Sequence, residues 1–375
     1  MHNLNPFITR GYLSPHYFCD RKEETRTLIS LITNGNNVTL MSLRRLGKTG
    51  LIRHCFEQPE IKNNYHTFLV DIYSSKNLSE FVCELGRTVL DELKSKGRKV
   101  WERFLSAIAS LRGNLSFDIN GVPEWGIGVG DIKAPDITLD EIFSYLKQSD
   151  KPCIVAVDEF QTLCDYPENN VEAMLRTRIQ ANQNCFFIFS GSKRHLMAEM
   201  FASPSRPFYQ STMLMKLEPI ACESYVTFAQ GLFREGGKEI TEETIEEIYQ
   251  NYNGVTWYIQ SVLNTLYMLT QKGETCSKNM VPLAVEQIVS QQSFAYDALL
   301  FQLPPKQKEL LIAIAREGVA RNIMSQGFLR RYRLTASGVQ GAVKGLLEKD
   351  FITSEMGDYS LYDQFFAKWL IEKTK

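Results

Sequence analysis

At 375 residues the chain has room for two or three domains with substantial cores. Its formal charge of −1 argues against a globally basic nucleic-acid binder, leaving only local patches. No apolar run approaches the roughly 18 residues of a membrane span, Met1 to Arg10 lacks the apolar core of a signal peptide, and the eight cysteines are scattered without a C-x2-C pair, so reduced thiols in a cytoplasmic protein are favoured over disulfides or zinc.

Residues Asn3 to Asp20 are irregular and rich in aromatics: Phe7, Tyr12, Tyr17 and Phe18. Arg21 to Thr33 reads as a first helix, stopped by Asn34-Gly35. The next stretch, VTLMSLRRLGKTGLIRHCF from Val38 to Phe56, organises the rest. Val38 to Ser42 reads as a buried strand. Leu43, Arg44, Arg45 and Leu46 then turn into Gly47-Lys48-Thr49-Gly50, which opens a helix. A phosphate-binding loop requires this strand–loop–helix context. Gly47 lets the backbone approach an anion, and the free N–H groups of the helix start face the phosphates. Lys48 can reach the β and γ phosphates and the Thr49 hydroxyl can coordinate Mg²⁺. Ser42 stands where the first Gly of G-x4-G-K-[ST] belongs, and a plain helix N-terminus with a surface lysine is the competing reading.

Tyr65 to Ile72 reads as the second strand and Leu78 to Lys94 as its crossover helix. Between Gly113 and Lys133, Leu115, Phe117 and Ile119 and then Trp125, Ile127 and Val129 alternate with polar residues around Asn120-Gly121. That pattern is a hairpin inserted in the core, either a flap or a surface for a partner. Ile137 to Gln148 returns to helix. Cys153 to Val157 is a continuous apolar run, expected of a strand covered on both faces, and ends in Asp158-Glu159. At the C-terminal end of a parallel strand, Asp158 would hold Mg²⁺ through water and Glu159 would polarise the attacking water. Helix Val171 to Gln180 leads to the strand Cys185 to Phe189, which runs into Ser190-Gly191-Ser192. Ser190 is the better candidate to sense the γ-phosphate or position the water, the alternative being a plain Ser/Gly turn. Met213 to Leu217 reads as the last strand.

From Glu218 to Gln291 no strand pattern appears. Helices over 221–234, 241–252, 256–270 and 281–291 suggest a small helical lid. Leu303-Pro304-Pro305 marks a boundary. Beyond it, helices over 306–317, 327–332 and 337–349, followed by a hairpin around Gly357, make a winged helix-turn-helix. From Leu300 to Lys375 twelve Lys/Arg stand against eight Asp/Glu, a net of +4, with Arg330, Arg331 and Arg333 ahead of the third helix. That helix offers Ser337, Gln340, Lys344 and Glu348 on one face. A DNA-reading helix normally offers more Arg, Asn or Gln. Gly338, Gly341 and Gly345 share a narrow face, which suggests close apposition to another protein surface, for example its own nucleotide-binding core. Docking on a protein surface is therefore the first reading of this module, and DNA the second.

R-R-x-G-K-T after a strand, an apolar strand ending D-E-F-Q and a strand ending S-G-S resemble the archaeal-type ATPases of the AAA+ superfamily, in its STAND-like signal-transduction branch. Asp20-Arg21-Lys22-Glu23-Glu24 resembles that family's entry segment, and Arg206-Pro207-Phe208-Tyr209 its bacterial members. The resemblance implies ATP with Mg²⁺ as the ligand, and the lack of an N-K-x-D motif agrees with ATP over GTP. It implies a place for Phe18 near the adenine, and a role for Arg44 and Arg45 in shaping the loop or in catalysis. Arg206 would stand at the edge of the site, in cis, in a neighbour's site, or as a structural ion pair. Tyr252 to Trp257 resembles the family's G-x-P turn near the nucleotide, with Thr256 replacing the Pro.

The expected fold is α/β: a P-loop NTPase core with a parallel AAA+-like sheet over 1–217, a helical lid over 218–299 and a winged helix over 300–375. The expected function is a slowly hydrolysing ATP switch. An ATP-regulated DNA-binding protein and a nucleotide-binding adaptor without hydrolysis are the alternatives. No membrane partner is expected, and the oligomeric state is left open.

Overall fold

The computed structural model describes residues 5–94, 103–104, 106–108, 116–117, 123–124, 132–355 and 357–375. They form two compact units, one of residues 8–224 with 255–257, the other of residues 1–7, 225–254 and 258–375.

In the first unit, helix α1 (Lys22–Thr33) precedes strand β1 (Val38–Met41), and helix α2 (Lys48–Phe56) follows it. After the short helix α3 (Pro59–Lys62) come β2 (His66–Asp71) and α4 (Leu78–Lys94). Two residue pairs of the inserted hairpin are described, β3 (Ser116–Phe117) antiparallel to β4 (Pro123–Glu124). Leu115, Ile119, Asn120-Gly121, Trp125, Ile127 and Val129 lie outside the described residues. Helix α5 (Pro135–Lys147), β5 (Cys153–Asp158), α6 (Val171–Ala181), β6 (Cys185–Gly191), α7 (Arg194–Ala202) and β7 (Met213–Lys216) complete the unit.

The sheet has five strands in the order β2-β5-β6-β1-β7, and all its pairings are parallel. Alternating side chains of β5 and β6 enter different cores. Val155, Val157, Phe187 and Phe189 pack with α4, α5 and α7, while Ile154, Ala156 and Ile188 pack with α1 and α2. Helices on both faces explain why these strands are apolar throughout. β6 lies between β1 and β5, so the serines at its end come between the loop after β1 and the carboxylates after β5. Leu40 pairs with Ser190 and Val157 with Phe189, which brings the three strand ends level.

In the second unit, Phe7 is buried against Phe228, Phe233 and Tyr267, and Asn5 and Asn264 exchange side-chain hydrogen bonds with main-chain carbonyls. Its helices are α8 (Cys222–Glu235), α9 (Glu242–Asn251), α10 (Thr256–Leu269) and α11 (Val281–Phe301), the first residues of α8 and α10 clustering with the first unit. The region has strands after all. β8 (Glu239–Ile240) pairs in parallel with β9 (Thr275–Cys276), a contact too short to leave a periodic pattern. Helix α11 runs ten residues beyond the expected end at Gln291. The polar Ser290 to Ser293 stretch is helical because Tyr296 is buried further along, and the Trp369 indole donates to Ser293 Oγ at 3.0 Å.

The winged helix comprises α12 (Pro305–Glu317), β10 (Val319–Ala320), α13 (Gln326–Tyr332), α14 (Ala336–Glu348), β11 (Ile352–Glu355) and β12 (Asp358–Leu361). The sheet order is β10-β12-β11. Ser325 and Thr335 cap α13 and α14 by accepting from Phe328 and Gly338 N–H. A closing helix, α15 (Gln364–Lys373), was missed by the sequence reading although Asp363 caps it in the ordinary way. The three glycines of α14 meet different surroundings. A Cβ at Gly345 would collide with the Gln307 amide, and one at Gly338 would lie 3.7 Å from Lys306 Cδ. Gly345 therefore faces α12 of the same module, whereas at Gly338 the close neighbour is Thr335 Oγ1 at 2.8 Å, the hydroxyl that caps α14, and Gly341 meets nothing within 4 Å.

Candidate nucleotide site

The loop after β1 closes around a buried lysine. Gly47 caps α2 with φ 93° and ψ 26°, the left-handed region that favours glycine, and no side chain caps the helix. Having no side chain, Gly47 supplies no capping acceptor to the first N–H groups of α2. Lys48 is only 6% exposed. Burial pulls its pKa below the ordinary lysine value, against the raising effect of Glu159 and Asp158. Its hydrogen bond among the described residues is to Ser42 Oγ at 3.3 Å. An ammonium has three donors, so a desolvated cation with donors to spare sits at a bare helix N-terminus. This arrangement fits an anion. Ser42 donates its own proton to Leu43 O at 2.7 Å, so a serine holds the turn where a glycine is usual.

The rest of the loop is held from outside. Arg21, itself buried and left-handed at φ 65°, donates to Leu46 O at 3.2 Å and to Glu218 O at 2.6 Å. Thr256 Oγ1 donates to the same Leu46 carbonyl at 3.3 Å, and Trp257 N–H to Arg45 O at 3.1 Å. In a trans peptide the carbonyl and the following N–H point in opposite directions. Fixing these two carbonyls outward therefore turns the Leu46 and Gly47 N–H groups toward the loop interior. The Arg45 guanidinium lies 4.2 Å from the centre of the Trp257 ring, and that of Arg44 lies 5.7 Å from the centre of Tyr73.

At the neighbouring strand ends, Thr49 Oγ1 donates to Asp158 Oδ2 at 2.5 Å, and the Ser190 hydroxyl donates to Asp158 Oδ1. Ser190 is thus engaged with the carboxylate. Ser192 Oγ donates to Glu159 Oε2 at 2.7 Å. Alternate serines of Ser190-Gly191-Ser192 therefore meet consecutive carboxylates of Asp158-Glu159. Asp71, on the other side of β5, has its carboxyl pKa raised, chiefly by burial and further by Asp158 and Glu159. Thr49 and Asp158 supply one hydroxyl and one carboxylate. That sparse set of hard oxygens suits Mg²⁺, which takes its remaining ligands from phosphates and water. No group of three or more His, Cys, Asp or Glu able to hold a metal occurs among the described residues.

Phe18 stacks on His54 with centroids 4.5 Å apart, and a Cβ on Gly50 would lie 3.3 Å from its ring. It covers the first turn of α2. Arg206 is not brought to these residues. Its guanidinium donates to Glu172 Oε1 at 2.5 Å and to Cys164 Sγ at 3.2 Å, with Glu199 at 3.6 Å. Glu172 is half-buried, and burial raises its carboxyl pKa against the opposing effect of Arg206. The sequence reading passed over Gln161 and Ser192, which hold Glu159. The signal was present, because Gln161 closes the D-E-F-Q run and Ser192 closes S-G-S.

A parallel sheet with the loop strand and the carboxylate strand separated by β6, a lysine-bearing helix start, and a hydroxyl–carboxylate pair define a P-loop NTPase of the AAA+ type. The chain belongs to the family described as an ATPase domain predominantly from Archaea, whose model matches residues 18–262, and a probable winged helix domain matches residues 294–372. Among solved structures it resembles the Walker-type ATPase PABY2304 of Pyrococcus abyssi, with 19% identity, TM-score 0.62 and coverage of 97% of this chain and 99% of that one. The Aeropyrum pernix ORC2 protein in its ADPNP–ADP complexes gives 15%, TM-score 0.61 and coverage of 99% and 96%. The Aeropyrum pernix ORC1 protein in complex with DNA gives 12%, TM-score 0.52 and coverage of 96% and 94%. No curated protein matches the sequence. Among the described residues no helix is long and apolar enough to cross a membrane.

Proposed function

We propose that this protein is an ATP-driven switch that hydrolyses its nucleotide slowly. Lys48 and the Leu46, Gly47 and α2 N–H groups hold the phosphates, with Ser42 shaping the turn and Gly50 leaving room for Phe18 beside the base. Thr49 and Asp158 hold Mg²⁺, which when bound neutralises charge on the phosphate oxygens. Glu159 takes a proton from the attacking water. Ser190 orients Asp158, and Arg44 and Arg45 complete the loop's positive lining. Arg206 serves as a structural ion pair.

One observation carries the switch reading. Thr256 and Trp257 hydrogen-bond the phosphate-loop carbonyls. The next residue, Tyr258, donates to Tyr362 O at 3.3 Å and accepts from Gln364 N–H at 3.0 Å in the winged-helix region. Three consecutive residues thus connect to the loop and to the last module. An anion drawing Arg45 off Trp257 would be felt at Tyr258 through a single peptide. Amide hydrogen exchange tests this: a non-hydrolysable ATP analogue should change protection at 256–258 and at 362–366 together. Protection that changes only around Lys48 would reduce the protein to a nucleotide binder without a switch.

The second reading is ATP-regulated DNA binding. It is supported by the net +4 of the last module, by the exposed Ser337, Gln340 and Lys344 of α14, and by the likeness to a protein solved with DNA. The exposed Glu348 on the same face and Asp358 beside the wing turn, paired with Arg321 at 3.1 Å, oppose it. Docking on a protein surface remains the first reading for this module.

A further inference from the structure

Glu159 is held in an unusual way. Its backbone is left-handed, with φ 56° and ψ 39°, a conformation that a residue with a Cβ adopts only when its surroundings impose it. The imposing groups are visible on both sides. Its N–H donates to Asp158 Oδ1 at 3.1 Å. Phe160, fully buried, is locked among Phe189, Phe201 and Phe208 at centroid distances of 4.5, 5.7 and 5.3 Å. The chain therefore turns sharply between a pinned carboxylate and a pinned aromatic ring, and the Glu159 side chain leaves from the corner.

Two donors then converge on one of its oxygens. Gln161 Nε2 approaches Oε2 at 2.6 Å, and Ser192 Oγ approaches the same atom at 2.7 Å. Gln161 is only 4% exposed and its Oε1 is buried without a hydrogen bond. A buried amide normally satisfies both ends. Here the carboxylate dictates which end faces it, because reversing the amide would set oxygen against oxygen. The unpaired Oε1 is packed toward Gly191, where a Cβ would collide with it and would also come within 2.6 Å of Met197 Sδ. The glycine between the two serines therefore makes room for the amide. Among the described residues both donors meet Oε2 and none meets Oε1.

We propose that Gln161 and Ser192 are positioning residues that clamp Oε2 of Glu159, fixing the carboxylate plane so that Oε1 is the oxygen presented to the attacking water. The inference rests on the reading of Glu159 as general base. Charge-assisted donors on one oxygen restrain rotation about the last side-chain bond. A base held in this way does not have to find its orientation in each turnover. Both residues bond Glu159 and neither belongs to the loop proposed to hold the phosphates, so their loss should appear in kcat and leave binding alone.

The test measures ATP affinity and kcat for the full chain and for Gln161→Met, Ser192→Ala, Ser192→Thr, Glu159→Gln and Gln161→Met/Glu159→Gln. Gln161→Met keeps the volume and removes the donor. Its kcat should fall about 10- to 100-fold, while ATP affinity stays within about twofold. Ser192→Ala should lose about 3- to 10-fold in kcat, and Ser192→Thr, which keeps the hydroxyl, should recover most of it. The double variant should be no slower than Glu159→Gln alone, because both substitutions act through one carboxylate. Ser192 is partly exposed, so its variants carry the test if Gln161→Met does not fold. Three results would overturn the clamp: wild-type kcat in Ser192→Ala, ATP affinity falling in step with kcat, or additive losses in the double variant. Wild-type turnover in Glu159→Gln would be a separate failure, removing the general base and the clamp with it.

Discussion

The strand ends around Asp158 and the exposed face of α14 are both polar, but they are built on opposite terms. At the strand ends Ser42, Lys48, Asp158 and Ser190 are all buried. Removing polar groups from water is costly unless each finds a partner, and nearly every one does, through Thr49, Ser42 or Ser190. The exception is the ammonium of Lys48, whose unspent donors face a bare helix start. On α14, Ser337, Gln340, Lys344 and Glu348 lie in water, and Lys344 and Glu348 face one another at 3.9 Å. Solvated pairs of this kind contribute little and select no ligand. A desolvated ammonium with donors to spare therefore says far more about function than a larger number of exposed charges.

The sharpest way to break this comparison is at Glu159. Glu159→Gln should lower turnover about 10²- to 10⁴-fold while ATP binding persists, as read by single-turnover hydrolysis beside equilibrium binding. Turnover equal to wild type would mean that buried polar order here does not mark catalysis.

Lys48 sharpens the same point from the stability side. Lys48→Ala should weaken ATP binding about 100-fold by removing charge-assisted contacts to phosphate. Lys48→Met should bind equally poorly, yet melt higher without nucleotide, by about 1 kcal/mol. The sign follows from the depressed pKa of Lys48. The folded state disfavours the protonated form, so stability is reduced below the folded-state pKa and recovers as pH rises toward the unfolded-state value. A Lys48→Met protein that melts lower would show that the cation stabilises the empty site.

Arg206 tests whether charge outside the buried cluster is catalytic. Arg206→Ala should leave ATP affinity and turnover within about threefold and should destabilise the fold by about 1–3 kcal/mol, because Glu172 loses its partner while half-buried. Specific activity that rises with protein concentration, together with complementation between Arg206→Ala and Glu159→Gln, would instead assign Arg206 to a neighbour's site.

The smallest effect is expected on the winged helix. With an ATP analogue bound, replacing Arg330, Arg331 and Arg333 by Ala should change duplex affinity by less than about threefold, since Arg331 is already engaged by Glu317 at 2.6 Å. A loss of about 10-fold or more with a shallower salt slope would move the reading to DNA.

Much of this protein was legible from local signals. Periodicity placed the five parallel strands and most of the helices, because burial on both faces of a sheet, or on one face of a helix, must be written into consecutive residues. Gly47-Lys48-Thr49, Asp158-Glu159 and Ser190-Gly191-Ser192 were visible for the same reason, as each is contiguous. Tertiary structure decided what depends on register between distant segments. It set β6 between β1 and β5, so that Ser190 and Ser192 meet Asp158 and Glu159 in turn. It gave Arg206 to Glu172, and set Gly345 of α14 against Gln307 of α12. It also brought Trp257 to Arg45 across more than half of the chain. A side chain's type is local information, but the partner that spends its hydrogen bonds or its charge is chosen by packing.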